Sequence, residues 1–253
     1  MKHLTSKFIL YTFLFSWVVH VPFAMRAQKI IDFTLPSFII WVVGIVPALV
    51  AFILIKSDEE RLKSLKSSIV KVKVPLVTLC LCFFLPSICL LVAYSADSHI
   101  NLFTSPEIVI YGIVWIILAY GEEIGWRGLA LPELAARFNP FIAASIVGLF
   151  WCIWHYPKGL SNYYIKDWSV ALQGLGMFSI QIIMANYILA WLYFKSKRSI
   201  FITSLFHGLF NVTATIYSFM AIDGYVTSVL ALTALILILI DRKMFFTRQE
   251  HAF

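Results

Sequence analysis

Eight apolar runs, separated by short polar connections, make up most of this 253-residue chain. They fall at 8–25, 35–55, 75–95, from near 108, 141–156, 170–194, 201–219 and 225–240. Each reaches or approaches the roughly 17–20 residues that a helix needs to cross the hydrocarbon core of a bilayer. Lipid offers backbone N–H and C=O groups no partners, so such runs must be helices. The expected fold is therefore all-α: a polytopic membrane bundle of about eight transmembrane helices, forming a single integral membrane domain over 1–253. A chain that is 61% hydrophobic and only 13% charged excludes a soluble domain.

The net charge of +7 does not point to nucleic acid, because the basic residues cluster in the short connections. With the N-terminus inside, Lys2, Lys7, six residues between Lys56 and Lys73, Arg127, Arg137, Lys195, Lys197, Arg198, Arg242, Lys243 and Arg248 are internal. Only Arg26, Lys29, Lys158 and Lys166 are external. That bias predicts a multi-pass protein of a bacterial cell membrane with both termini cytoplasmic. Lys2 and Lys7 ahead of the run from Phe8 imitate a signal peptide. No small-residue cleavage site follows, so the run is read as a retained first helix. The polar stretch 56–73 is expected to form a short amphipathic surface helix.

One apolar run carries an unusual charge load: Glu122 and Glu123 are adjacent, and Arg127 follows one turn later. A single ionisable group at the bilayer centre costs roughly 2.5–3.5 kcal/mol on insertion scales. Two neighbouring carboxylates also repel each other. Packing would not select such a pair, so it marks a site. Glu123 and Arg127 share a helix face and can form an ion pair. Glu122 points about 100° away and is freer to exchange a proton.

Two further elements reach the same depth. His155 lies in Trp151-Cys152-Ile153-Trp154-His155, and both Glu123 and His155 are sixteen residues from Asn139 in the Phe138-Asn139-Pro140 turn. An antiparallel hairpin then brings Glu123 level with His155, about 24 Å from the turn at helical rise. Pro132 should bend the end of the first of these helices or start a new one. His207 and Asn211 share a face of a later helix, with His207 roughly 10 Å from the basic 195–198 connection. Two carboxylates, two imidazoles and an amide suit hydrolysis: one acid with His155 prepares a water, and His207 with Asn211 stabilises an oxyanion. The same atoms could instead hold a divalent metal such as zinc, with Glu122, His155 and His207 as candidate ligands.

At these residues the chain resembles the CPBP/Abi family of intramembrane proteases, which includes the type II CAAX prenyl endopeptidases. Its E-E-x-x-x-R motif is matched by Glu122-Glu123-Ile124-Gly125-Trp126-Arg127, its F-x-x-x-H motif at His155, and its H-x-x-x-N motif by His207 and Asn211. Trp151 stands where the second motif has Phe. The resemblance covers roughly 107–211. It implies an eight-helix endopeptidase with a cytoplasm-facing cavity, cutting a peptide bond near the cytoplasmic membrane face. It further implies Glu122 as general base assisted by His155, His207 and Asn211 as oxyanion donors, and Glu123 and Arg127 in support. The partners are then a peptide or protein substrate at or in the membrane and the lipid bilayer, with no nucleic acid. A metal is left open.

Competing readings are a non-catalytic immunity or regulatory protein of the same fold and, less favoured, a carrier. A carrier usually shows internal repeats or broken helices, and the sequence has neither. Cys152 is three residues from His155, but its apolar neighbours do not depress a thiol pKa, so a cysteine protease is not favoured. Cys80, Cys82 and Cys89 read as inert buried thiols. His20 has no acidic partner and reads as structural or interfacial, and His99 and His251 read as solvated. Trp41, Tyr94, Trp168 and Tyr193 fall near span ends, where aromatic residues anchor the interface.

Overall fold

The computed structural model describes residues 3–32, 36, 38–96, 107–161, 165–216 and 223–248. The expectations for Lys2, His99, His251 and the run boundaries at Leu35 and Phe219 lie outside these residues. The long helices are α1 (Leu4–Ala27), α2 (Ile39–Ile55), α4 (Leu76–Ala96), α5 (Glu107–Gly125), α6 (Pro140–Leu160), α7 (Trp168–Lys195), α8 (Ile200–Ile216) and α9 (Asp223–Ile240). Two short helices, α3 (Glu59–Ile69) and α10 (Arg242–Phe246), lie between or after them. Five are long and apolar enough to cross a bilayer, and α2, α8 and α9 are shorter apolar helices packed among them. The described residues form no strand. The protein is a helical membrane bundle.

Local chemistry sets the helix ends. Asp58 caps α3 by accepting from the Arg61 N–H, and Asn139 caps α6 by accepting from the Ile142 N–H at 2.9 Å. The surface helix and the 138–140 turn thus form where the sequence places them. Between α7 and α8 the chain turns at Lys197 and Arg198, both left-handed (φ 57° and 69°). The Arg198 N–H bonds back to the Tyr193 carbonyl at 2.6 Å, closing the end of α7. Non-glycine residues pay about 1–2 kcal/mol each for this conformation. The resulting tight turn fixes the depth of His207 relative to α7.

The long apolar helices turn exposed residues such as Leu10, Leu14, Val18, Phe84, Ile110 and Leu172 outward, as a lipid-facing surface requires. Inside, the indoles of Trp126, Trp151 and Trp154 are fully buried, and Phe8 packs edge-on against Trp126. α5 lies between α2 and α8, and small residues bring the three backbones together. A Cβ on Gly121 would stand 2.6 Å from the Gly44 carbonyl oxygen of α2. On Gly208 of α8 it would stand 2.6 Å from Ile116 Cγ1 of α5. Only hydrogen fits at these crossings, as in small-residue helix pairs of membranes generally.

This contact fixes the rotation of α5. Gly121 and Gly125 share one face, turned to α2; Glu123, about 200° from Gly121, points to the opposite side, and Glu122 projects between. After Gly125 the helix widens into a π-helical turn, Trp126–Ala130, and resumes at Leu131–Ala135. Pro132 supplies the reason, since it has no N–H for the carbonyl four residues earlier. The sequence anticipated a bend or restart at Pro132. The widened turn begins earlier, at Trp126, and carries Arg127.

Candidate active site

Two linked clusters meet at the centre of the bundle. In the first, Trp151 of α6 donates its indole N–H to Glu122 Oε2 at 2.8 Å, and His155 Nε2 lies 3.8 Å from the same oxygen. His155 Nδ1 is 2.8 Å from the Trp151 carbonyl oxygen. A carbonyl can only accept, so Nδ1 carries the proton; in the neutral form of the ring Nε2 then presents a lone pair towards Glu122. In the second cluster, Arg127 Nη1 donates to Glu123 Oε1 at 2.8 Å, and His207 Nδ1 lies 3.0 Å from that oxygen. Glu123 and Arg127 are wholly inaccessible, and Glu122, His155 and His207 are buried.

The hairpin register anticipated Glu123 opposite His155. The structure corrects this: Glu122 faces His155, and Glu123 faces His207 and Arg127. The 100° between adjacent residues decides it, once the glycine face is committed to α2. Asn211 lies one turn beyond His207 on the same cavity wall. Its side chain makes no hydrogen bond among the described residues. The structure therefore brings Glu122, Glu123, Arg127, His155 and His207 into contact and sets Asn211 beside them.

Asn186 of α7 belongs to this assembly, and the sequence reading passed over it. Its Oδ1 accepts from Arg127 Nη2 at 2.6 Å while its amide donates to the Ala144 carbonyl of α6. Arg127 also lies 4.3 Å over the Trp151 ring. A chain of contacts thus runs from Asn186 through Arg127 to Trp151 and Glu122. The available signal was an amide inside a long apolar helix. Trp151, which stands where the motif has Phe, lines the cavity and also donates its N–H to the carboxylate.

Both clusters border a cavity of about 380 Å³ between α7 and α8. Its lining is largely aromatic and aliphatic, including Phe178, Ile182, Leu189, Phe206 and Phe210. From Glu122 and His155 it runs past Trp115 and Lys158 to exposed Trp41 and Thr215. These residues stand at the end of the bundle with Arg26 and Lys29, where Gln28 of the same loop bonds to the Leu160 carbonyl. The Lys-rich connections are at the other end, where Lys71 reaches the Lys197 carbonyl and Arg248 the Ala136 carbonyl. Cytoplasmic termini and a cytoplasm-facing cavity, both expected above, therefore do not hold together.

His20 is buried in α1 with Nε2 3.4 Å from the Ile40 carbonyl, apart from these clusters. Cys152 contacts the Tyr156 hydroxyl and does not meet a histidine. Zinc ligands at about 2.0–2.1 Å from a metal must lie close to one another. Among the described residues no three His, Cys, Asp or Glu side chains converge in that way. His207 is instead engaged by Glu123, and Glu122 by Trp151. The candidate ligands Glu122, His155 and His207, for a metal that the sequence left open, are not gathered into such a set among the described residues.

Comparison with known proteins agrees with the motifs. Residues 104–213 match the family model described as type II CAAX prenyl endopeptidase Rce1-like. The chain is also 34% identical over 138 residues to the CAAX prenyl protease 2 of Methanococcus maripaludis, covering 53% of this chain and 50% of that one. It thus spans about half the length of the curated relative it matches. All six residues singled out by the motifs lie within the matched segment, and over that segment the chain is similar to the CPBP/CAAX protease family.

Proposed function

We propose that this protein is an intramembrane endopeptidase that hydrolyses a peptide bond with a water activated by Glu122 and His155. One observation carries the reading: Glu122 Oε2 and His155 Nε2, both acceptors, face each other across 3.8 Å on a cavity wall. A water bridging them donates one O–H to each and turns its lone pair outward to a substrate carbonyl. On attack the water proton passes to Glu122 and the carbonyl oxygen becomes an oxyanion. The Asn211 amide and His207 Nε2–H, in the imidazolium form whose Nδ1–H is donated to Glu123, stabilise that charge. Glu122 then returns the proton to the leaving amine as the C–N bond breaks, giving a free amine and a carboxylic acid, and the acid's remaining proton passes to His155 Nε2 to leave the carboxylate. Glu123 and Arg127 hold the second cluster in place. No step uses a metal.

The apolar lining fits an apolar peptide segment delivered from the membrane. The Lys and Arg distribution supports cytoplasmic termini, and the cavity then opens on the external side. Impermeant maleimide labelling of Thr215→Cys and Lys197→Cys in intact cells, against the parent background, tests this. Labelling only at 197 would reverse it.

Peptidomics of cells carrying parent or Glu122→Gln protein tests the reaction. Loss of a general base costs about 10²–10⁴ in rate, so a cleavage product should disappear in the variant. Cleavage at the parent rate would end the proposal.

A further inference from the structure

The Lys-rich end of the bundle holds a second cleft, of about 400 Å³, between α3 and the turn that joins α7 to α8. Ser64, Ser67, Ser68, Lys71, Lys197 and Arg198 form its polar lining, and Phe194 and Met244 its apolar part. Three cations thus share one hollow, and none of its lining residues is acidic. Like charges held together repel one another until an anion joins them.

Their arrangement is fixed by the backbone. Lys71 Nζ donates to the Lys197 carbonyl at 2.7 Å, and Ser199 Oγ donates to the Lys71 carbonyl. These bonds tie the segment after α3 to the α7–α8 turn. Among the described residues Lys197 meets no carboxylate within ion-pair distance, and the Ser64 and Ser67 hydroxyls make no hydrogen bond. Lys197 and Arg198 are both left-handed, at φ 57° and 69°. Glycine or asparagine adopts that conformation at lower cost. The turn instead keeps two positive side chains there, and strain of this kind clusters at ligand sites.

Hydroxyls beside cations suit a group with a negative charge and several acceptor oxygens, as a phosphate offers. Phe194 and Met244 suit an apolar remainder. The bias of Lys and Arg assigns this end of the bundle to the cytoplasmic leaflet, where anionic lipids gather and basic pockets between helices hold their headgroups. We propose that this cleft binds the phosphodiester headgroup of an anionic membrane lipid. The bound headgroup bridges α3 to the α7–α8 turn. Another face of α3 rests on the end of α5: a Cβ on Gly128 would stand 2.5 Å from Leu65 Cδ1, and Arg61 pairs with buried Glu133 at 3.0 Å. The lipid therefore fastens the helix that covers the turn carrying Arg127.

The test counts bound lipid and needs no cleavage. Full-length protein is taken into neutral detergent with equal amounts of phosphatidylglycerol and phosphatidylcholine of the same acyl chains, and retained lipid is read by native mass spectrometry. Both lipids carry a phosphodiester, but only the first has a net negative charge. It should be retained about tenfold or more over the second, at about fivefold per lysine. The ratio should fall to near one when Lys71→Gln and Lys197→Asn are combined. It should hold when Lys63→Gln and Lys66→Gln are combined, which removes the same charge from exposed positions of α3 outside the cleft. Equal retention of the two lipids by the parent, an unchanged ratio in the cleft variant, or an equal fall in the α3 control would overturn the proposal. Excess inorganic phosphate should leave the lipid in place, and its displacement would assign the cleft to a soluble phosphate instead. Asparagine suits a left-handed backbone, so Lys197→Asn alone should be at least as stable as the parent in lipid-free micelles. The parent comparison decides even where a variant does not fold.

Discussion

Replacing Asn186 by Leu tests whether the buried guanidinium of Arg127 organises the site. The two side chains are similar in size, but Leu cannot accept the 2.6 Å bond from Arg127 Nη2. Neutral interhelical hydrogen bonds in membranes average only about 0.6 kcal/mol in double-mutant cycles. A hydrogen bond to a charged group is worth about 1.5–3 kcal/mol, because losing it strands a buried charge. Arg127 is wholly buried, so the larger figure governs. Asn186→Leu should destabilise the protein by about 2–3 kcal/mol, read from reversible unfolding in mixed micelles of SDS and mild detergent. A freed Arg127 also loosens its 4.3 Å contact with Trp151, and through it Glu122. A displacement near 1 Å in such a site costs about 10²-fold in rate, so cleavage should fall by one to two orders of magnitude. A loss below about 0.6 kcal/mol with normal cleavage would reduce Asn186 to an ordinary interhelical contact.

Trp151→Phe restores the residue type of the family motif and removes the N–H donated to Glu122; kcat should fall about tenfold, equivalent to 1.4 kcal/mol, with KM little changed. A raised KM at unchanged kcat would return Trp151 to the role of pocket wall. Cleavage should withstand EDTA and 1,10-phenanthroline, and a loss restored by added zinc would show that the site gathers metal ligands in another arrangement. At the polar end of the bundle, burial raises the Asp241 pKa, but hydrogen bonds from Lys195 and Trp191 outweigh it and hold the group below its usual value. Its stabilisation is thus present above the unfolded pKa and is lost as pH falls through the folded one. Acid titration of unfolding should show this loss in the parent and a weaker one in Lys195→Met.

Legibility in the sequence followed the range of the interaction. The helices, the Asp58-capped surface helix and the turn at Asn139 depend on hydrophobic length and on side chains within three residues, and they formed as read. The pairing of Glu123 with Arg127 is a one-turn contact and was also legible. Asn186 acts on partners 59 and 42 residues away, so it carried only the general mark of an amide in an apolar helix. The direction of the cavity depends on how far α7 stands from α8, which no local pattern encodes.

The division between the two glutamates shows why such facts escape a linear reading. Adjacent helical residues differ by about 100°, so their spacing separates Glu122 from Glu123 without saying which way either points. The decision is made on the opposite face of α5, where a Cβ on Gly121 or Gly125 would stand 2.6 Å from Gly44 or Pro47 of α2. Those glycines permit one close-packed rotation, and in it Glu122 meets Trp151 and His155 while Glu123 meets Arg127 and His207. Each carboxylate thereby gains donors or cations that offset the cost of its burial. Reversing the rotation would bring both acids against the α2 backbone, where Gly44 and Pro47 present a carbonyl and a ring without an N–H. The two residues with no side chain thus determine which carboxylate faces the cavity.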